Sequence, residues 1–289
     1  MTIRIDFSQK RGPRPEGRYG HSMTLVNDTE AIVFGGRAAK GKYLKDMWLL
    51  DMSRSTFAWT RISSATAPPS PRFGHSAVLV GNHIVIFGGN DGQRSFDELW
   101  LFSVPSMTWQ RPRTAGPPPS PRYNHSCELL PDGRLMVFAG YASGAGVEQK
   151  YLDDVKELDT TTMCWSRPRV TGEFPKARQG RTTCMMGRQM VVFGGWNGPK
   201  KKSWDNEGNA ALQNMAVKTS DQLVCLDTGS MQWFQPTFGG EKLELLYGHT
   251  ATRVGASIWI IGGWDGTRPL NTVSTIVFPP PDIPAEGGN

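Results

Sequence analysis

The chain has 289 residues, carries 32 Lys+Arg against 26 Asp+Glu for a formal charge of +6, and is 38% hydrophobic. That charge is modest for the length, and its one basic run, Lys200-Lys201-Lys202, reads as a solvated loop rather than a nucleic-acid site. No stretch is long and apolar enough to span a membrane and no secretory apolar segment follows Met1, so neither nucleic acid nor membrane is an expected partner, and a cytoplasmic or nuclear location is expected.

In chain order, the first element is a short strand-like run, Ile3-Arg4-Ile5-Asp6-Phe7, and Arg18 follows Ile5 by thirteen residues. The same interval separates Trp59 from Arg72, Trp109 from Arg122, Trp165 from Arg178, and Trp233 from Leu246. The second landmark of each pair is spaced 54, 50, 56 and 68 residues from the next, and a pair of small residues stands 16 or 17 residues after it. These pairs are Gly35-Gly36, Gly88-Gly89, Ala139-Gly140, Gly194-Gly195 and Gly262-Gly263. Self-similarity at such a period marks a repeat architecture.

Each unit reads as four strands. The first opens at Arg-x-Gly-His-Ser and runs through residues such as Ser76 to Val80. The second is an apolar, β-branched run, such as Ile84-Val85-Ile86-Phe87, that ends at the small-residue pair. The third contains Met47-Trp48-Leu49-Leu50, Leu99 to Phe102 or Leu223 to Leu226, and the fourth carries the tryptophan. Connectors such as Gly116-Pro117-Pro118-Pro119-Ser120-Pro121 suit the breaks, because proline has no backbone donor and resists continuing a strand.

Pro71-Arg72-Phe73-Gly74-His75-Ser76, the apolar run into Gly88-Gly89, and Trp109 together resemble the kelch repeat, and the resemblance covers nearly the whole chain. It implies an all-β, five-bladed kelch β-propeller with four antiparallel strands per blade. The repeats fall at about 14–62, 68–113, 118–170, 174–236 and 242–278 of a single 1–289 domain, with an extended tail at 279–289. The last repeat has no tryptophan strand, so the N-terminal strand at 2–8 is expected to close that blade. A sixth blade would have to hide in the segment 196–220, which lacks apolar periodicity.

The repeated polar residues read as scaffold. The third strand opens with Lys45-Asp46, Asp97-Glu98, Asp153-Asp154, Asp221-Gln222 or Asn271-Thr272. An acid is present in the four units that have the arginine and absent where Leu246 replaces it, which predicts an ion pair within each of those four blades. His21, His75, His125 and His249 hold one repeated position, so they are spread one to a blade and expected to hydrogen-bond at the strand entrance rather than to converge on a metal. Cys127, Cys164, Cys184 and Cys225 form no Cys-x-x-Cys motif and read as buried free thiols.

Function is therefore sought in what does not repeat. In kelch proteins whose partners dock on one face, the loops after the glycine pairs and the turns into the first strand help form it. The resemblance points to Arg37, Asn90, Tyr141, Trp196 and Trp264 after the pairs, and to Tyr19, Phe73, Tyr123, Gln179 and Tyr247 in the turns. Turn-like Asn90-Asp91-Gly92, Trp196-Asn197-Gly198 and Trp264-Asp265-Gly266 extend the first set. Trp196 and Trp264 are expected to be exposed on the binding face. The insertion from Trp196 to Ser220 exceeds usual loop lengths and adds Trp204.

There is no Gly-x-Ser-x-Gly elbow, His-Glu-x-x-His pair or P-loop. Kelch-type copper oxidases and the iron-dependent plant specifier proteins define the alternative, a metal-assisted enzyme or small-ligand binder at the channel mouth. The specifier pattern Glu-x₃-Asp-x₃-His is met here only as Glu241-x₃-Leu245-x₃-His249. The favoured expectation is a monomeric, non-enzymatic adaptor that binds a protein or peptide and needs no cofactor or metal.

Overall fold

The computed structural model describes residues 13–53, 57–144, 148–196, 223–237, 239–240, 246–265, 268 and 270–278. The chain divides into two compact units, 1–168 with 177–179, and 169–176 with 180–289. Each is built from small, mainly antiparallel sheets, the blades that the repeat predicts.

The first unit holds three blades. Blade 1 comprises β1 (Arg18–Tyr19), β2 (Ser22–Asn27), β3 (Glu30–Ala38), β4 (Tyr43–Asp51) and β5 (Ala58–Ile62). Blade 2 is β6 (Ser76–Val80), β7 (His83–Phe87), β8 (Leu99–Ser103) and β9 (Thr108–Gln110). Blade 3 is β10 (Ser126–Leu129), β11 (Arg134–Ala142), β12 (Lys150–Asp159) and β13 (Cys164–Ser166). Within each blade the strands pair in sequence order, β1 and β2 both lying on β3.

The second unit holds two blades. Blade 4 contains β14 (Thr171–Gly172), β15 (Gln179–Met186), β16 (Gln189–Trp196), β17 (Leu223–Asp227) and β18 (Gln232–Phe234), with β14 parallel to β18. Blade 5 is β19 (Thr250–Val254), β20 (Ser257–Ile261) and β21 (Val273–Val277), three strands among the described residues. The strand expected at 2–8 to complete it, the segment 197–222 and the tail 279–289 lie outside the described residues.

Two expectations are corrected. The second strand does not stop at the small-residue pair in blades 1, 3 and 4: it continues through the pair to Ala38, Ala142 and Trp196. The ladder absorbs the pair as an irregularity, with register shifts at Phe34/Gly36 and Phe138/Gly140. The cysteines are free, but only Cys184 and Cys225 are buried; Cys127 is half-buried and Cys164 exposed, because it opens the outermost strand of its blade.

The core runs between the blades. Phe34 of blade 1 packs on Trp109 of blade 2 at a centroid distance of 5.1 Å, and Phe87 of blade 2 on Trp165 of blade 3 at 5.4 Å. In the first unit the repeated tryptophan therefore seals blade 2 against blade 1 and blade 3 against blade 2. The connector preceding each such strand clasps its outer side. Thr66 Oγ1 accepts from Trp109 N at 2.6 Å and donates to Trp109 O at 2.9 Å. Ala115 exchanges backbone bonds with Met163 and Trp165, and β14 pairs with Gln232 and Trp233 in the second unit.

Candidate functional site

The repeated arginines lie inside the blades. Arg72 is fully buried and donates to Glu98 Oε2 at 2.8 Å and to Gly88 O at 2.9 Å. Arg122 grips both carboxylate oxygens of Asp154, at 2.8 and 2.9 Å, and Arg18 both of Asp46, at 2.6 and 2.9 Å. Burial alone would raise the Asp46 and Glu98 carboxyls; the arginine and a tryptophan N–H more than offset it and leave both pKa values lowered. Arg178 is 1% exposed, and its expected partner Asp221 lies outside the described residues. Leu246 is buried among Cys225, Ile258 and Ile260. It keeps the backbone role of its position: its carbonyl accepts from Gly195 N at 2.8 Å, as Arg72 O accepts from Gly36 N at 2.8 Å and Arg122 O from Gly89 N at 2.9 Å.

The histidines tie blade to blade. His75 Nε2 lies 2.9 Å from Ser22 Oγ and His125 Nε2 2.8 Å from Ser76 Oγ, while in the second unit His249 Nε2 lies 2.7 Å from Thr182 Oγ1. Each partner is the Ser or Thr of the preceding repeat. Burial drives the pKa of His75 down to about 3 and that of His249 to about 4, so these rings are neutral at physiological pH. The bond occupies Nε2 in each ring, and Nδ1 is buried without a hydrogen-bond partner. Among the described residues no group of three or more His, Cys, Asp or Glu is placed to hold a metal ion. Glu241 and Leu245 lie outside the described residues.

The two loop sets singled out above meet each other. Phe73 and Asn90 exchange both backbone hydrogen bonds at 3.0 Å, Tyr123 and Tyr141 at 3.0 and 2.9 Å, and Tyr247 and Trp264 at 3.1 and 3.0 Å. Tyr19 is the register partner of Arg37 in the same way. In the first unit this pairing builds an aromatic row. Phe73 lies 6.2 Å from Tyr19, 5.7 Å from Tyr43 and 5.3 Å from Tyr123; Tyr123 lies 5.6 Å from Tyr141, which lies 4.9 Å from Tyr151. Arg37 caps one end, donating to Tyr19 Oη at 3.0 Å and lying 5.3 Å from the centre of the Tyr43 ring. Burial raises the Tyr123 and Tyr141 pKa values above the ordinary tyrosine value. The row offers faces for stacking, hydroxyls for hydrogen bonding and one cation.

The remaining expected residues divide. Asn90 is 6% exposed, and its amide shapes its own loop, accepting from Gly92 N at 2.6 Å and donating to Ser95 Oγ at 3.3 Å. Asp91 is half-buried and accepts from the backbone of Gln93 and Arg94, both at 2.9 Å. In the second unit Trp196 and Trp264 are half-buried, not openly exposed. Trp196 packs 5.4 Å from Tyr247. Asp265 accepts from Arg268 N at 2.9 Å. Asn197 and Trp204 lie outside the described residues. Tyr43 and Tyr151, the first residue of β4 and the second of β12, were missed by sequence reasoning; their place opposite Arg37 and Tyr141 is the signal that could have found them.

Repeat, strand order and motif geometry define a kelch-type β-propeller chain. Residues 4–195 match the family described as the KLHDC2/KLHL20/DRC7 Kelch-repeats domain, and the chain belongs to the kelch-repeat family. It is 29% identical over 280 residues to human Host cell factor 1 and 28% identical over 288 residues to human Host cell factor 2, covering 89% of this chain in both cases. It is also 30% identical over 269 residues to Acyl-CoA-binding domain-containing protein 4 of Arabidopsis thaliana, again over 89% of this chain. The match spans only 13%, 34% and 36% of those three proteins. Among the described residues no helix is long and apolar enough to cross a membrane.

Proposed function

We propose that this chain is a non-enzymatic protein-interaction module whose loop face takes a protein or peptide partner. The observation that carries this reading is the row from Tyr19 through Phe73 and Tyr123 to Tyr141, capped by Arg37. Tyr and Arg are among the residue types enriched at binding hot spots, and here Tyr19, Arg37 and Tyr141 stand at strand ends, at positions that vary from blade to blade above a framework that repeats. On this reading Arg37, Asp91 and Tyr141 supply contacts in the first unit, and Trp196, Trp264 and Asp265 in the second. The module acts as a monomer in the cytoplasm or nucleus.

The test is affinity capture by the wild-type chain beside an Arg37→Ala/Tyr141→Ala variant. The reading expects a specific protein to be retained by the first and lost by the second, with the melting temperature nearly unchanged. Equal retention by both would show that the row is not the contact surface.

A further inference from the structure

We propose that a groove beside blade 1 holds an extended acidic peptide segment, which deepens the loop-face reading and rests on it. The groove encloses about 830 Å³ and is lined by the start of β4, the end of β5, the connector carrying Pro68 and Pro71, and the edge of Trp109. Tyr43 belongs to both the groove and the aromatic row, so the two surfaces are continuous. The apolar walls include the buried side chains of Met47, Trp48 and Trp109.

Charge selects the occupant. Two acids line the groove, and both are engaged: Asp46 with Arg18 at 2.6 Å and Glu16 with Lys42 at 2.8 Å. Arg14, Lys45 and Arg61 also line it, all exposed, and none makes an ion pair among the described residues. The comparison with blade 2 explains the surplus. Arg111 stands two residues after Trp109 and lies 3.5 Å from Glu98, whereas Arg61, two residues after Trp59, makes no such pair with Asp46. Three spare cations above an apolar floor suit carboxylates carried on a thin, extended chain. Tyr43 and the proline-lined wall suit its apolar side chains.

The experiment is a fluorescence-anisotropy titration with fluorescein-labelled hexaglutamate at low salt. The triple variant Arg14→Glu/Lys45→Glu/Arg61→Glu is compared with Arg113→Glu/Arg169→Glu/Arg253→Glu, which changes net charge equally at exposed cations outside the groove. The expected result is a loss of about tenfold or more in affinity for the first triple, little change for the second, and weakening as salt rises. No binding by the wild type, equal loss in both triples, or tighter binding of a ten-thymidine oligonucleotide through the same three residues would overturn the proposal. A chain that ignores hexaglutamate yet retains a partner through Arg37 and Tyr141 refutes the groove alone. A chain whose partner capture is indifferent to Arg37 and Tyr141 refutes the loop-face reading.

Discussion

His125 Nε2 lies 2.8 Å from Ser76 Oγ, so the histidine of one blade is held by the serine of the blade before it. The same bond joins His75 to Ser22. The motif thus works in two directions, its histidine reaching back one repeat and its serine receiving the next. Stability of a repeat array depends on such nearest-neighbour terms. Ser76→Ala should cost about 1–3 kcal/mol by leaving a buried ring nitrogen without its partner, read as a lower urea midpoint. An unchanged midpoint would mean that the bond contributes nothing.

The ion pairs give a sharper test. Arg72→Met takes from Glu98 its buried partner and leaves it the exposed Arg111 at 3.5 Å and the Trp100 N–H at 3.1 Å; breaking one side of a buried pair typically costs about 3–5 kcal/mol. Glu98 keeps some water access, at 17% side-chain exposure, so the low end of that range is expected. Arg72→Met/Glu98→Met should recover much of the loss, since it removes both charges together, as the fifth unit does with Leu246 and Asn271-Thr272. A double-mutant cycle by denaturant unfolding measures the coupling, and purely additive losses would show that the pair does not act as a unit.

Acid should loosen the blades before the carboxylates titrate. His75, His125 and His249 have folded pKa values below the ordinary 6.5, to about 3 for His75 and about 4 for His249, with burial the main cause. Below pH 6.5 the unfolded chain therefore binds protons that the folded chain does not. Stability is complete above that pH and falls as pH drops, by up to about 1.4 kcal/mol per pH unit for each histidine. Asp46 and Glu98, with lowered pKa values, add their losses only at lower pH. Urea midpoints measured from pH 7.5 to 5.5 should decline; a flat profile would contradict the buried neutral rings.

Ala139 stands where four other repeats have glycine, and its φ is +59°. An L-residue in that conformation costs roughly 1–2 kcal/mol. Its site is also crowded: a Cβ built on the equivalent Gly35, Gly88 or Gly194 meets a neighbouring carbonyl oxygen at 2.8, 2.6 or 2.5 Å. Consistently, Gly140 N to Arg178 O is 3.4 Å, longer than the matching 2.8 and 2.9 Å bonds of Gly36 and Gly89. Ala139→Gly should stabilise the chain by about 0.5–1 kcal/mol after the extra unfolded-state entropy is subtracted. A lower melting temperature for the variant would refute the strain.

What could be read from the sequence was what repeats. The thirteen-residue interval located every tryptophan strand among the described residues, and Trp109 and Trp165 each fill the seam between their blade and the one before it. The arginine–acid pairing was legible because both partners disappear together at Leu246. The histidine partners were not, since Ser22, Ser76 and Thr182 lie 53, 49 and 67 residues away and nothing local marks a bond that crosses to another blade. Nor was the half-burial of Trp196 and Trp264, which depends on Tyr247 packing or pairing beside them. Asn124 shows the local logic at work: it replaces glycine in the motif with φ +51°, and asparagine is one of the few other residues that adopts this conformation readily.

The central claim is that partners bind through the paired residues around Arg37, Asp91 and Tyr141 and the groove continuous with them. Hydrogen–deuterium exchange on the chain, alone and with its captured partner, tests it most directly. New protection is expected in segments containing Arg37, Tyr43, Asp91 and Tyr141 and at the groove-lining end of β5, with little change in the outer strand β13. Protection confined to β13, with the other segments exchanging as in the free chain, would contradict it.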